Sequence, residues 1–173
     1  WEPLKHEALK HWQAPEQIVY PLAVKPYLLP TTHTPVDGLV RETAQKITAG
    51  ETDPLKKARL IYEWVSSHME RDNDVIGCGT GDVATILQSG KLSGKCTDIS
   101  SVFVALARAS GIPARELFGI RLGKANKLER YSKSAFGKAD SAGVSDVSGG
   151  QHCRAEFYLA GYGWLPCDPA DVT

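Results

Sequence analysis

From Cys96 to Ser110 the apolar residues Ile99, Val102, Phe103, Leu106 and Ala109 return at three- and four-residue steps, and Gly111 with Pro113 ends the run. A helix bounded this sharply needs other elements to cover its apolar side. Upstream the chain offers further helices. One opens after Asp37, a good N-cap, and runs to about Ala49, with Leu39, Val40, Ala44 and Ile47 on one side and Gly50 as its stop. A second takes Asp53 as cap and Pro54 at its first position, followed by Leu55, Ala58, Ile61, Tyr62, Val65 and Met69. A short third helix spans Asp82 to Ser89 and closes at Gly90. Downstream the chain turns β-prone, at Ala114 to Leu122, His152 to Leu159 and Trp164 to Asp168. Helices first and strands last is the α+β pattern, here N-terminal helices packed on a C-terminal antiparallel sheet.

At 173 residues the chain fits one domain with an extension. Residues 1–35 carry Pro3, Pro15, Pro21, Pro26, Pro30 and Pro35, which withhold backbone donors, so they read as an extended arm over a domain of residues 36–173. The chain starts at Trp1 rather than Met, as a processed product or an excerpt would. It has no run of about 18 apolar residues, so no transmembrane segment is expected. Lys plus Arg and Asp plus Glu balance at 20 each, which leaves no field to steer nucleic acid and points to a small-molecule or polypeptide partner.

Two segments read ambiguously. Gly77-Cys78-Gly79-Thr80-Gly81 resembles a phosphate loop but lacks the following Gly-Lys-Ser/Thr, so it reads as a flexible turn. Residues 123–150 are polar and lysine-bearing, long enough for a lid or substrate-contacting loop, or for plain disorder.

The chemistry starts at Cys96. A thiol attacks as its anion, and a helix N-terminus favours negative charge while offering the Cys96 N–H to a developing oxyanion. Lys95 adds positive charge and Asp98 opposes it, so a partner imidazole is required. His152 is the candidate base. It lies sixteen residues before Asp168, with glycines between two β-prone stretches, so a hairpin about Ala160 and Gly161 with an odd-length loop puts both side chains on one face. Asp168 then orients the imidazole and leaves its other nitrogen for Cys96. On the His152 strand, Cys153, Ala155, Phe157 and Leu159 make the core face, and Cys153 and Cys167 read as small buried hydrophobes. Arg154 and Glu156 on the accessible face, with Trp164 on the returning strand, are the candidate substrate contacts.

The four cysteines, at 78, 96, 153 and 167, form neither a CxxC pair nor a dense disulfide scaffold, and adjacent His152 and Cys153 point to opposite faces. No zinc site, no acidic calcium loop and no cofactor is expected.

Gly94-Lys95-Cys96-Thr97-Asp98 with Arg108-Ala109-Ser110-Gly111-Ile112-Pro113-Ala114-Arg115, then His152 to Glu156, then Gly163-Trp164-Leu165-Pro166-Cys167-Asp168-Pro169, resemble the three signature blocks of the bacterial transglutaminase-like superfamily. The resemblance covers roughly residues 36 to 172 and implies a papain-like fold, with Cys96 as nucleophile, His152 as base and Asp168 as orienting acid. It further implies a transglutaminase, peptidase or deamidase that takes a protein or peptide substrate through a thioester, and, as related bacterial chains are often exported, an exported or periplasmic protein, with the cytoplasm as the alternative. Arg154 stands where the family often has an aromatic residue, and no side-chain oxyanion donor is assigned. The rival reading is a non-catalytic protein- or peptide-binding domain that keeps the fold.

Overall fold

The computed structural model describes residues 7–120, 141–144 and 150–171. The described residues begin with the short helix α1 (Glu7–Lys10) and a 3-10 turn at Lys25–Leu28, then α2 (Gly38–Ile47), α3 (Pro54–His68), strand β1 (Glu70–Arg71), α4 (Val83–Ser89), β2 (Ser93–Gly94) and α5 (Cys96–Ala109). Strands β3 (Ala114–Ile120), β4 (Gln151–Leu159) and β5 (Gly163–Cys167) follow, and a 3-10 turn at Pro169–Asp171 closes the order. Most of the expected lid segment lies outside the described residues.

The helix boundaries follow local chemistry. Asp53 Oδ1 accepts from the N–H groups of Leu55 at 2.8 Å and Lys56 at 3.1 Å, satisfying donors that α3 leaves open. Asp82 caps α4 through the N–H of Thr85 at 3.2 Å, and Gly90 ends that helix in the left-handed region at φ 68°. Asp37 holds the N-cap position of α2 with extended backbone, yet its side chain makes no cap hydrogen bond.

Helix α5 differs from the amphipathic expectation. Every residue from Cys96 to Arg108 is buried, including Ser100, Ser101, Ala105 and Ala107 on the sides the apolar repeat leaves out. A helix buried all round needs neighbours all round: α2, α3 and α4 touch it, and so do β3 and β4. The small side chains let these neighbours come close. Phe103 meets Phe157 of β4 with ring centroids 6.1 Å apart, joining the helical layer to the sheet.

The sheet is antiparallel in the order β3-β4-β5. Gly119 lies opposite His152, and Ala155 lies opposite Cys167. Leu159 pairs with Gly163, so the β4–β5 loop has three residues, closed by the Tyr162 N–H on the Leu159 carbonyl at 3.0 Å. The loop is odd, as the face argument requires. Its centre falls at Gly161 rather than Ala160, so Asp168 comes diagonal to His152 and not directly across.

The N-terminal residues are bonded to this body at several points. The Trp12 indole donates to the Ala160 carbonyl at 3.1 Å, and Tyr20 Oη donates to the Gly111 carbonyl at 3.1 Å. Arg108, buried on α5, reaches the Leu29 carbonyl at 3.1 Å, Thr34 Oγ1 at 3.0 Å and the Ala114 carbonyl at 2.9 Å.

Candidate active site

Cys96 is delivered by two small devices. Strands β1 and β2 pair in parallel, Glu70 with Ser93 and Arg71 with Gly94, which fixes the chain at the last residues before the helix. Asp98, 4% exposed, does the rest. Its Oδ2 accepts from the Lys95 N–H at 2.9 Å, while Oδ1 accepts from Thr80 at 3.0 Å and Gly81 at 2.9 Å. One carboxylate thereby ties the N-terminus of α5 to the glycine-rich segment 77–81, and sits where the helix dipole favours it. The fit leaves no room for side chains: a Cβ on Gly79 would meet the Asp98 carboxylate, and Gly79 has φ +95°. A Cβ on Gly94 would run into Asp98 Cβ.

Segment 77–81 is therefore not a free turn. The Cys78 carbonyl accepts from the Thr97 N–H at 3.0 Å, and its thiol donates to Gln151 Oε1 at 3.5 Å. The sequence reading treated Asp98 only as a charge opposed to Lys95 and missed this arrangement. The usable signal was a cluster of glycines facing an acid on the first turn of a core helix.

His152 Nε2 and Asp168 Oδ2 stand 2.6 Å apart, and His152 is near enough to the Cys96 thiol to lower its pKa. An ionised carboxylate only accepts, so Nε2 carries the proton and Nδ1 is left for the sulfur. Asp168 Oδ1 is buried without a partner among the described residues. The Tyr62 hydroxyl donates to the Asp168 carbonyl at 3.4 Å, bringing α3 to the same point.

Burial pushes the Cys96 thiol up, but hydrogen bonds from His152, the Cys153 N–H and Cys78, together with the imidazole's charge, outweigh it and the net movement is down. The other thiols go the opposite way. Cys78 is raised by burial and by the neighbouring Cys96 charge, Cys153 is pushed up to about 12 by burial, and burial raises Cys167 as well. Sulfur chemistry is thus concentrated at Cys96. Among the described residues, His152, Asp168 and Asp171 offer ligand atoms within 4.8 Å of one another, but a cation there would compete with the His152–Asp168 hydrogen bond.

The candidate substrate contacts fall elsewhere. Glu156 is buried at 8% exposed, four residues and about 13 Å along β4 from His152. Its partner is Arg115 of β3, whose Nη2 and Nε reach Glu156 Oε2 at 2.9 and 3.2 Å. The Arg115 guanidinium lies 4.1 Å from the centre of the Trp164 ring, and Trp164 packs edge-on against Tyr27 at 5.1 Å and Tyr158 at 5.4 Å. Glu156 and Trp164 thus belong to a packed cluster that joins the arm to the sheet, and the expectation of Glu156 on an accessible face is corrected: it is buried and pairs with the cross-strand Arg115. Arg154, half-buried, is the one of the three nearest His152 along the strand. Replacing Arg115 with alanine is expected to cost about 1–3 kcal/mol in urea unfolding, through the lost pair and ring contacts, and to leave Cys96 reactivity unchanged.

The model of the Transglutaminase-like superfamily matches residues 41–169, a stretch that holds Cys96, His152 and Asp168. The chain belongs to the transglutaminase-like superfamily. This transglutaminase-like chain is 60% identical over 172 residues to an uncharacterized protein of Haemophilus influenzae, covering 99% of the present chain and 47% of that protein, so it spans about half the length of the relative. Among solved structures it is similar to a candidate cysteine protease from Cytophaga hutchinsonii, with TM-score 0.63 and 21% identity over 89% of this chain and 44% of that one. It is also similar to the periplasmic domain of TgpA from Pseudomonas aeruginosa, with TM-score 0.60 and 20% identity over 87% of this chain and 48% of that one. At such identities the two structures speak for the transglutaminase-like fold, whose helices-then-sheet order the chain reproduces.

Proposed function

We propose that the chain is a cysteine-dependent acyl transferase or hydrolase acting on protein or peptide amide bonds through a thioester. The support for this reading is the His152 ring, bonded to Asp168 at 2.6 Å, whose neighbourhood draws the Cys96 thiol down from its ordinary range. The Cys96 proton moves to His152 Nδ1, and the thiolate attacks the amide carbon, whose π electrons pass to oxygen. Cys96 opens α5, so its own N–H, which a helix leaves without an internal partner, is the donor assigned to that oxyanion. The imidazolium returns its proton to the departing amine as the C–N bond breaks, leaving the thioester. Water then gives hydrolysis or deamidation, and a lysine amine gives an isopeptide bond, with His152 taking the acceptor's proton and restoring the Cys96 thiol. No metal enters these steps. Arg154 is retained as a candidate contact for the substrate beside the site.

A binding domain without turnover would have no use for a thiol drawn down in pKa beside an oriented imidazole. Alkylation by iodoacetamide separates the two readings. Because the Cys96 thiol lies below the ordinary thiol range, its anion persists at pH values where other thiols are protonated. Labelling mapped by peptide mass is expected to find Cys96 first as pH is lowered from 9 to 6, and His152→Ala is expected to slow it by roughly tenfold at the low end. Equal, slow labelling of all four cysteines would support the binding domain. The acyl-enzyme itself is tested by intact mass after incubation with a library of peptide amides.

A further inference from the structure

We infer that Phe118 and Ile120, at the exposed end of β3, form the surface on which this site seats apolar side chains of its polypeptide substrate. The inference rests on the reading of Cys96 as nucleophile and names the substrate class that reading leaves open. Directly opposed residues of an antiparallel pair share a face, so Phe118 stands on the same side of the sheet as Cys153, and Ile120 on the same side as Gln151. That is the side α5 packs against: Phe103 meets Phe157 there, and Ser100 Oγ donates to the Cys153 carbonyl at 3.4 Å. Along this face of β3 the cover runs out. Ala114 is buried, Glu116 is half-buried at 4.0 Å from Arg108, and Phe118 and Ile120 are 71% and 47% exposed. Arg108 Nε reaches the Ala114 carbonyl at 2.9 Å, while Ser100 lies at Cys153, across from Phe118. The helix therefore points its N-terminal end, where Cys96 sits, toward the Gln151 and Ile120 end of the sheet.

Two hydrogen bonds tie that end of the sheet to the first turn of α5. The Cys78 thiol donates to Gln151 Oε1 at 3.5 Å, and the Cys78 carbonyl accepts at 3.0 Å from the N–H of Thr97, the residue after Cys96. The apolar pair is thus continuous with the site. Among the described residues β3 is an edge strand, paired with β4 alone. Edge strands are ordinarily guarded by a charge, a proline or a bulge, and Phe118-Gly119-Ile120 has neither charge nor proline. A single exposed apolar side chain needs no explanation, but two neighbours on one face of an unguarded strand do. The occupant is the substrate because of where the patch lies. A polypeptide with one amide held at Cys96 lays its next residues across the adjoining surface, and extended backbone turns alternate side chains to one face. Phe118 and Ile120 offer no side-chain donor or acceptor, so an apolar residue gains by leaving water there and a polar one gives up hydration for nothing.

The test is protection of Cys96 from iodoacetamide by peptides, with labelling followed at each cysteine by peptide mass. Two uncharged hexapeptide amides serve as probes, one alternating leucine with serine and the other asparagine with serine. In the parent protein the leucine peptide is expected to half-protect Cys96 at a concentration roughly tenfold below that of the asparagine peptide. Phe118→Ser is expected to bring the two peptides within about twofold, and Phe118→Leu, which stays apolar, to keep most of the preference. Ile120→Ser should act in the same direction as Phe118→Ser, and a urea unfolding curve checks that each variant is folded. Equal protection by the two peptides in the parent overturns the inference, and so does protection by neither. A preference that survives both serine substitutions together also overturns it. A parent that is dimeric by size-exclusion chromatography, becomes monomeric on Phe118→Ser and shows no peptide preference would give the patch to a second copy of the chain. Failure of His152→Ala to slow Cys96 labelling would overturn the site reading and this inference together. A normal His152 effect without a peptide preference would overturn this inference alone.

Discussion

On the proposed reading, Asp168→Asn is expected to lower kcat for a peptide amide by on the order of 10²–10⁴ while the protein stays folded, because asparagine has no good way to sit in this position. With its carbonyl oxygen toward His152 Nε2, its NH₂ group occupies the place of Oδ1, which is buried without a partner among the described residues. With the NH₂ group toward Nε2 instead, the imidazole is driven to the other tautomer, and a proton stands on Nδ1 where the sulfur needs an acceptor. Neither arrangement keeps the negative charge that steadies the imidazolium. Steady-state kinetics on a reactive amide, with thermal unfolding as control, measures the effect. A loss under threefold with unchanged folding would remove Asp168 from the mechanism.

Asp98→Ala strikes the fold instead. The carboxylate accepts from three backbone N–H groups, those of Lys95, Thr80 and Gly81, and removing it strands all three, the Gly81 bond being buried and the other two part-buried. The cost is expected to be about 2–4 kcal/mol in urea unfolding, because one buried and two part-buried donors lose this acceptor. The loss should be accompanied by loosening of residues 77–81, read as faster hydrogen exchange at the Thr80 and Gly81 amides. Asparagine at the same position retains one acceptor oxygen and is expected to recover only part of the difference. If alanine cost less than about 1 kcal/mol, the carboxylate would not be the clamp described.

Much of this fold was written in local chemistry. Asp53 with Pro54, Asp82 with Gly90, and the Gly111 to Pro113 stop each depend on residues within a turn of one another, and each marks a helix end where the structure has one. The shared face of His152 and Asp168 was legible for a different reason: side chains alternate strictly along a strand, so an odd loop leaves few choices. What escaped the sequence reading was contact between distant segments. Nothing near residue 79 announces a carboxylate nineteen positions later, and so 77–81 looked like slack chain. Glu156 was expected on an accessible face beside Arg154, whereas the strand register brings Arg115 directly across from it. The two-residue ribbon of β1 and β2 is too short to leave any periodic trace at all.

Arg108 carries an implication for where this molecule can be divided. Its guanidinium, 6% exposed, is satisfied partly by Leu29 and Thr34, both upstream of residue 41, where the superfamily match begins. Cutting the polypeptide at that border would leave a cation sealed inside α5's surroundings with two of its acceptors gone. The smallest piece able to stand alone must therefore reach back past Leu29, and the proline-bearing stretch before α2 is part of the wall that keeps the central helix dry.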